Sequence, residues 1–214
     1  MPRAKVIFVT DPMCSWCWGM APEIERARRD GDAEFEFDCL LGGINVGSTH
    51  PVSDFARARL ADVWRRVVSV TQARFGEGLP RGDFVYNSVP ACIAVEAMRD
   101  LGGSPPFDFL RRLQTRFFIE GANLGDESVL AREAVAMGAD EARFLAACRS
   151  PAILARVEAG FDVAKAFGTS ALPSVQVDIA GKRGLVAGGY VDAPTLLESV
   201  RGHLRRVAEL ERPL

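Results

Sequence analysis

Hydrophobic and polar positions divide the chain into three stretches with different periods. Val6, Ile7, Phe8 and Val9 form a short unbroken apolar run bounded by Thr10-Asp11-Pro12, the mark of a strand buried on both faces. A helical stretch follows to about Arg29 and stops at Asp30-Gly31-Asp32. Pro22 falls inside it and is expected to kink the axis without ending it. Phe35, Phe37 and Cys39 then alternate with Glu34, Glu36 and Asp38, the period of a half-buried strand. Strand, helix and strand over this length predict a βαβ unit with parallel strands.

From about residue 50 the period becomes helical for a hundred residues. Leu60, Val63, Trp64, Val67 and Val70 share one face, as do Ala94, Ala97, Met98 and Leu101. Leu110, Leu113 and Phe117 repeat the spacing, and so do Leu130, Ala134 and Met137. The breaks fall at Gly76-Glu77-Gly78-Leu79-Pro80, at Gly102-Gly103-Ser104-Pro105, and from Gly121 to Gly125. A further helix, with Val157, Phe161 and Ala164 on one face, leads back to strand-like sequence. Val175, Val177 and Ile179 alternate with polar residues, Gly181-Lys182-Arg183-Gly184 is expected to turn, and Leu185 to Ala187 completes a hairpin. In the closing helix Leu197, Val200, Leu204 and Val207 share a face, with Asp192 placed to cap it and Pro194 in its first turn. The order βαβ, helical block, α, ββα predicts an α/β fold: a mixed sheet carrying a helical insertion.

The 214 residues fit one large domain or one domain with a substantial insertion, at roughly 100–200 residues per domain. With 48% hydrophobic and 25% charged residues, disordered and low-complexity classes drop out. The 26 basic residues are balanced by 28 acidic ones and nowhere cluster densely, which argues against nucleic acid or a membrane surface as partner. The apolar runs are too short for a membrane helix or for the core of a signal peptide, so a cytoplasmic location is expected.

Cysteine usage carries the chemistry. Five cysteines make an odd number, and only Cys14 and Cys17 form a C-x-x-C. The two histidines, His50 and His203, are too few for a His-based metal site or a Cys–His hydrolase, and both are expected at the solvated surface. Asp11-Pro12-Met13-Cys14-Ser15-Trp16-Cys17-Trp18-Gly19 follows the first strand and opens a helix. Unpaired N–H groups at a helix start favour an anion, and a thiolate is the nucleophile of disulfide exchange. Cys17 lies one turn further on, in reach of a mixed disulfide on Cys14. A zinc site would need a second C-x-x-C or a paired His motif, and neither is present. The segment Thr169-Ser170-Ala171-Leu172-Pro173-Ser174-Val175 sets a proline at a strand entry, which read alone is the start of an edge strand.

Taken together, these residues resemble the DsbA-like group of the thioredoxin superfamily. The matching features are Cys14-Ser15-Trp16-Cys17 after the first strand, Pro22 five positions beyond Cys17, and Leu172-Pro173 in the place of the group's cis-proline loop. Phe118 to Asp126, followed by Val129-Leu130, is similar to the helical insertion of FrnE-type cytoplasmic members. The resemblance implies a thioredoxin fold over residues 1–48 and 155–214 with an all-helical domain at 49–154. It also implies dithiol–disulfide activity, a cis bond before Pro173, and Cys14 attacking while Cys17 resolves. Substrate contact is assigned to Ser15, Trp16, Leu172 and Pro173. Ser15-Trp16 differs from the proline-containing dipeptides common in the group, so the direction of exchange is not implied.

The expected partners are protein or small-molecule thiols and disulfides, glutathione among them, with no metal or organic cofactor. Cys39, Cys92 and Cys148 have apolar neighbours and are expected to be buried structural thiols. Asp11 and Glu23 are the nearest carboxylates and candidates to take a proton from Cys17, although a solvated Asp before a turn proline needs no such role. One of Trp16 and Trp18 is expected at a substrate groove. Met13 and Met20 either line that groove or fill the core. Two other functions fit the same architecture. One is a glutathione-dependent transferase or isomerase of the kappa-class or 2-hydroxychromene-2-carboxylate isomerase type, which typically has serine where Cys14 stands. The other is a binding module that keeps the dithiol as a redox switch.

Overall fold

A computed structural model describes residues 3–103, 105–166 and 171–210. The first strand, β1 (Lys5–Thr10), leads through a turn into α1 (Ser15–Gly31), which returns the chain to β2 (Glu36–Leu41). β1 and β2 are parallel with Phe8 opposite Cys39, the expected βαβ unit. Helix α1 continues through Pro22, and Met20, Ile24 and Ala27 bury its inner face.

Six helices follow: α2 (Asp54–Thr71), α3 (Val89–Gly102), α4 (Phe107–Phe118), α5 (Glu127–Val135), α6 (Glu141–Cys148) and α7 (Pro151–Lys165). The chain then enters β3 (Ser174–Ile179), β4 (Lys182–Gly188) and α8 (Ala193–Leu210). The sheet order is β2-β1-β3-β4, with β3 antiparallel to both neighbours. β3 is therefore internal, so Pro173 does not start an edge strand. The hairpin turns at Ala180 and Gly181, earlier than expected, with φ of 52° and 87°. A two-residue type I′ turn has positive φ at both centres, and it pairs Lys182 and Arg183 with Ile179 and Asp178.

Apolar side chains gather in two clusters. One packs Val6, Phe8, Val175 and Val177 of the sheet against α1 and the Leu196, Leu197 and Val200 face of α8. The other is the helical block, where Trp64, Phe84, Phe109, Phe117, Phe118 and Phe144 are buried together. Met13 and Trp18 join this second cluster although they flank the C-x-x-C. The dithiol segment thus lies at the seam between the two cores. Trp18 stacks on Phe118 with ring centroids 5.7 Å apart, and its indole Nε1 donates to the Arg74 carbonyl at 2.8 Å. His203 is half-buried against Gly184, contrary to expectation, while His50 is exposed.

The irregular segment after α2, whose Arg74 carbonyl accepts from Trp18, approaches the end of α4 closely at Gly76. Its N–H donates to Phe118 O at 2.8 Å, and a Cβ there would stand 1.9 Å from the Ile119 carbonyl oxygen. Backbone cannot swing aside as a side-chain tip does. Gly76→Ala should therefore cost about 2–3 kcal/mol of stability, read as a lower urea midpoint at an unchanged slope.

Candidate active site

β1 is buried along its inner length and delivers Asp11 into the interior rather than to a loop surface. Asp11 Oδ1 accepts from the Met13 N–H at 2.8 Å, and Cys14 N donates to Asp11 O at 3.3 Å, which closes the turn that starts α1. Cys14 is the helix N-cap, and its sulfur accepts from the Cys17 N–H at 3.3 Å. No acidic side chain occupies the first turn to compete for those N–H groups. The Cys14 Sγ also lies 3.7 Å from the Leu172 carbonyl oxygen, 158 positions away. The Leu172–Pro173 bond is cis, as expected, and Pro173 O accepts from Gly189 N at 2.8 Å, which ties this loop to the end of β4. Leu172 packs its side chain against Gly42, where any Cβ would meet it at 2.6 Å. Thr169 and Ser170 lie outside the described residues.

The structure brings Cys14, Cys17, Leu172 and Pro173 together. Cys14 is 6% exposed and Cys17 is 0% exposed, so approach is from the Cys14 side. Ser15 is buried beneath the turn and Trp16 is half-buried, whereas Trp18 is core. Arg111 covers the outer face of Trp18, its guanidinium 4.0 Å from the ring centroid. Met13 and Met20 are both fully buried, one in each core, and line no groove. Burial pushes the Cys17 thiol well above its usual range, helped by its hydrogen bond with Cys14 and the charge there, while the Thr10 hydroxyl pulls the other way.

Asp11 is the main departure from the sequence expectation. It is fully buried, not solvated, and burial raises its carboxyl from 3.8 to about 6. Ser88, Met13 and Cys92 partly offset that rise by donating hydrogen bonds to it. The Ser88 hydroxyl reaches Asp11 Oδ2 at 2.6 Å, the Cys92 thiol reaches the same oxygen at 3.5 Å, and Gln114 Nε2 donates to the Asp11 carbonyl at 3.4 Å. Tyr86 donates its hydroxyl to Met13 O at 2.6 Å. Ser88, Tyr86 and Gln114 escaped the sequence reading because nothing local to them marks a site. Glu23 is occupied elsewhere, accepting from Ala193 N at 2.8 Å at the start of α8.

The remaining thiols are inert by position. Cys39 is buried with Arg99 Nη2 3.4 Å from its sulfur, and burial pushes it up to about 12. Cys92 is also held well above its usual range by burial, and half-buried Cys148 is pushed up to about 11. Among the described residues no three His, Cys, Asp or Glu side chains gather to hold a metal ion, and no helix is long and apolar enough to cross a membrane.

A family model described as Thioredoxin matches residues 7–179. The chain belongs to the thioredoxin family. A curated relative, the ClpXP adapter protein SpxH of Shouchella clausii, is 29% identical over 142 residues, which are 66% of this chain and 46% of that protein. The match thus spans under half of that relative's length. A candidate protein disulfide isomerase from Nitrosomonas europaea superposes with a TM-score of 0.87 at 28% identity, covering 96% of this chain and 99% of the other. The cytosolic disulfide reductase DsbM from Pseudomonas aeruginosa, solved also with GSH, gives 0.73 at 22% identity over 96% and 99% of the two chains. The DsbA-like thioredoxin fold with a helical insertion is therefore established for this chain.

The buried acid predicts a pH-dependent stability. Folding holds the Asp11 proton more tightly than the unfolded chain does, so ionising it opposes folding. The penalty is absent below 3.8, grows with pH, and is complete above about 6. That shift corresponds to about 3 kcal/mol. Asp11→Asn should be more stable than the wild type by up to this amount at neutral pH, with the gain vanishing near about pH 4. Urea unfolding at the two pH values measures it.

Proposed function

We propose that the chain is a thiol–disulfide oxidoreductase using Cys14 and Cys17. The observation that supports this most is the placement of the Cys14 sulfur at the α1 N-terminus, 3.3 Å from the Cys17 N–H and 3.7 Å from Leu172 O, with Cys17 sealed one turn inside. In the first step the Cys14 thiolate attacks one sulfur of a substrate disulfide, forming a mixed disulfide and releasing the first substrate sulfur as a thiolate, which takes a proton from water. In the second, Cys17 gives its proton to Asp11 and its sulfur attacks Cys14. The second substrate sulfur leaves as a thiolate that takes a proton from water, Asp11 gives its proton back to solvent, and a Cys14–Cys17 disulfide remains. The substrate has gained two electrons and the protein has lost two. A dithiol, or two molecules of a monothiol such as glutathione, resets the pair by the reverse route.

Burial gives each partner its role. A nucleophile must meet substrate, and Cys14 has the exposed edge. A resolving thiol must not react early, and burial keeps Cys17 protonated until Asp11 is ready to receive the proton. In this reading Ser15, Trp16, Leu172 and Pro173 contact the substrate, and the Leu172 carbonyl, 3.7 Å from Cys14 Sγ, pairs with an extended substrate backbone. The cytosolic reductase solved with GSH supports a cytoplasmic setting and a small thiol as one reactant. A glutathione transferase or isomerase needs one nucleophile and gives Cys17 and Asp11 no task. A redox-switched binding module, in keeping with the adapter name of the Shouchella relative, likewise needs no turnover.

Trapping experiments separate these readings. Cys17→Ser should accumulate mixed disulfides on Cys14 with oxidised glutathione and with a reporter protein, lose turnover, and leave no intramolecular bridge. Cys14→Ser should trap nothing. Peptide mapping of the oxidised wild type should show Cys14 joined to Cys17 and the other three cysteines free. Full turnover by Cys17→Ser would establish the transferase reading instead, and a Cys14–Cys39 bridge would overturn the assignment of Cys17.

A further inference from the structure

We infer that Ser88, at the start of α3 in the helical block, is a positioning residue for Asp11, so that the inserted helices govern when Asp11 accepts the Cys17 proton. This rests on the exchange reading above, with Asp11 as acceptor.

Ser88 occupies the N-cap of α3, a position where a serine hydroxyl ordinarily bonds the helix's own free N–H groups. It makes no such bond. Its oxygen instead accepts from the Ile44 N–H at 2.7 Å and lies 2.6 Å from Asp11 Oδ2, against 3.4 Å to the Ile44 carbonyl. The shorter contact takes the hydroxyl proton, so Ser88 donates to the carboxylate. One turn along α3, Cys92 points its thiol at the same oxygen from 3.5 Å, and its N–H bonds back to Ser88 O at 2.9 Å. The other carboxylate oxygen is held by Met13 N within the site's own turn. Asp11 is therefore gripped by the dithiol segment, by α3 and by the Gly43 backbone after β2.

The ionisable groups around Asp11 are Cys14 and Cys17 of α1, Tyr86 ahead of α3 and Cys92 on α3, while α4 contributes the neutral Gln114. All four ionisable groups are acids. With no cation among its hydrogen-bond partners, the ionised carboxylate depends on donors, and Ser88 is the closest of them. Removing that donor makes the charged form harder to reach. The carboxyl should then stay protonated to higher pH, and Cys17 should be activated later.

The test measures two quantities against pH in the wild type, Ser88→Ala, Ser88→Thr and Cys92→Ala. One is the rate at which Cys17 resolves a mixed disulfide preformed on Cys14. The other is the titration of the Asp11 carboxyl in reduced protein by carbon-13 NMR, which needs no turnover. In Ser88→Ala both midpoints should rise by about one pH unit, giving about tenfold slower resolution below the midpoint. Ser88→Thr should restore the wild-type values. Cys92→Ala should move both midpoints the same way by less, and it carries the test if Ser88→Ala does not fold. Unmoved midpoints in Ser88→Ala, beside a wild type that exchanges normally, would overturn the inference while leaving the exchange reading intact. An Asp11→Asn profile identical to the wild type would instead remove Asp11 as acceptor, and this inference with it.

Discussion

The pairing of β1 with β3 is the constraint on which the site depends. Val9 lies opposite Ser174, and this register sets the Leu172 loop beside Cys14. Two segments that are 158 positions apart become the two walls of one site. Loop-closure entropy grows only with the logarithm of loop length, about 0.6 kcal/mol per doubling, so a large helical block between the strands adds little to the cost of closure. Val6, Val9, Val175 and Val177 are fully buried at the pairing, which secures it. The block can therefore be large without loosening the walls.

The same arrangement concentrates destabilising groups at one place. A carboxyl and a thiol are sealed beneath the start of α1 with acids as their ionisable neighbours, and Ser88 gives up a helix cap to bond one of them. Stability is spent at the candidate site, a pattern expected where a fold is built for reaction rather than for stability alone. The aromatic cluster of Trp18, Trp64, Phe75, Phe117 and Phe118 supplies the rigidity that holds these groups in place.

Much of this was legible in the sequence because it is local. The run Val6 to Val9, the alternation around Cys39 and the helical spacing of Leu110, Leu113 and Phe117 follow directly from which face each element buries. Cys14 and Cys17 are three positions apart and share a helix turn wherever that helix lies. What escaped depends on distant partners. Asp11 reads as a solvated turn residue until Ser88, Cys92 and Gln114 close over it from 77 to 103 positions away. Pro173 reads as an edge starter until β4 pairs along the outer side of β3. The hairpin turn was misplaced because Ala180 accepts a positive φ that its side chain does not announce.

The burial of the remaining thiols has a consequence for fidelity. Burial pushes the Cys39 thiol up to about 12 and the Cys148 thiol up to about 11, so at neutral pH both are held almost wholly protonated. Cys39 and Cys148 therefore compete for a passing disulfide only through these trace thiolates, and Cys92 is similarly silenced. If Cys14 and Cys17 exchange disulfides as proposed, a chain with five cysteines would be protected from reshuffling its own sulfurs, because burial keeps the spare thiols protonated.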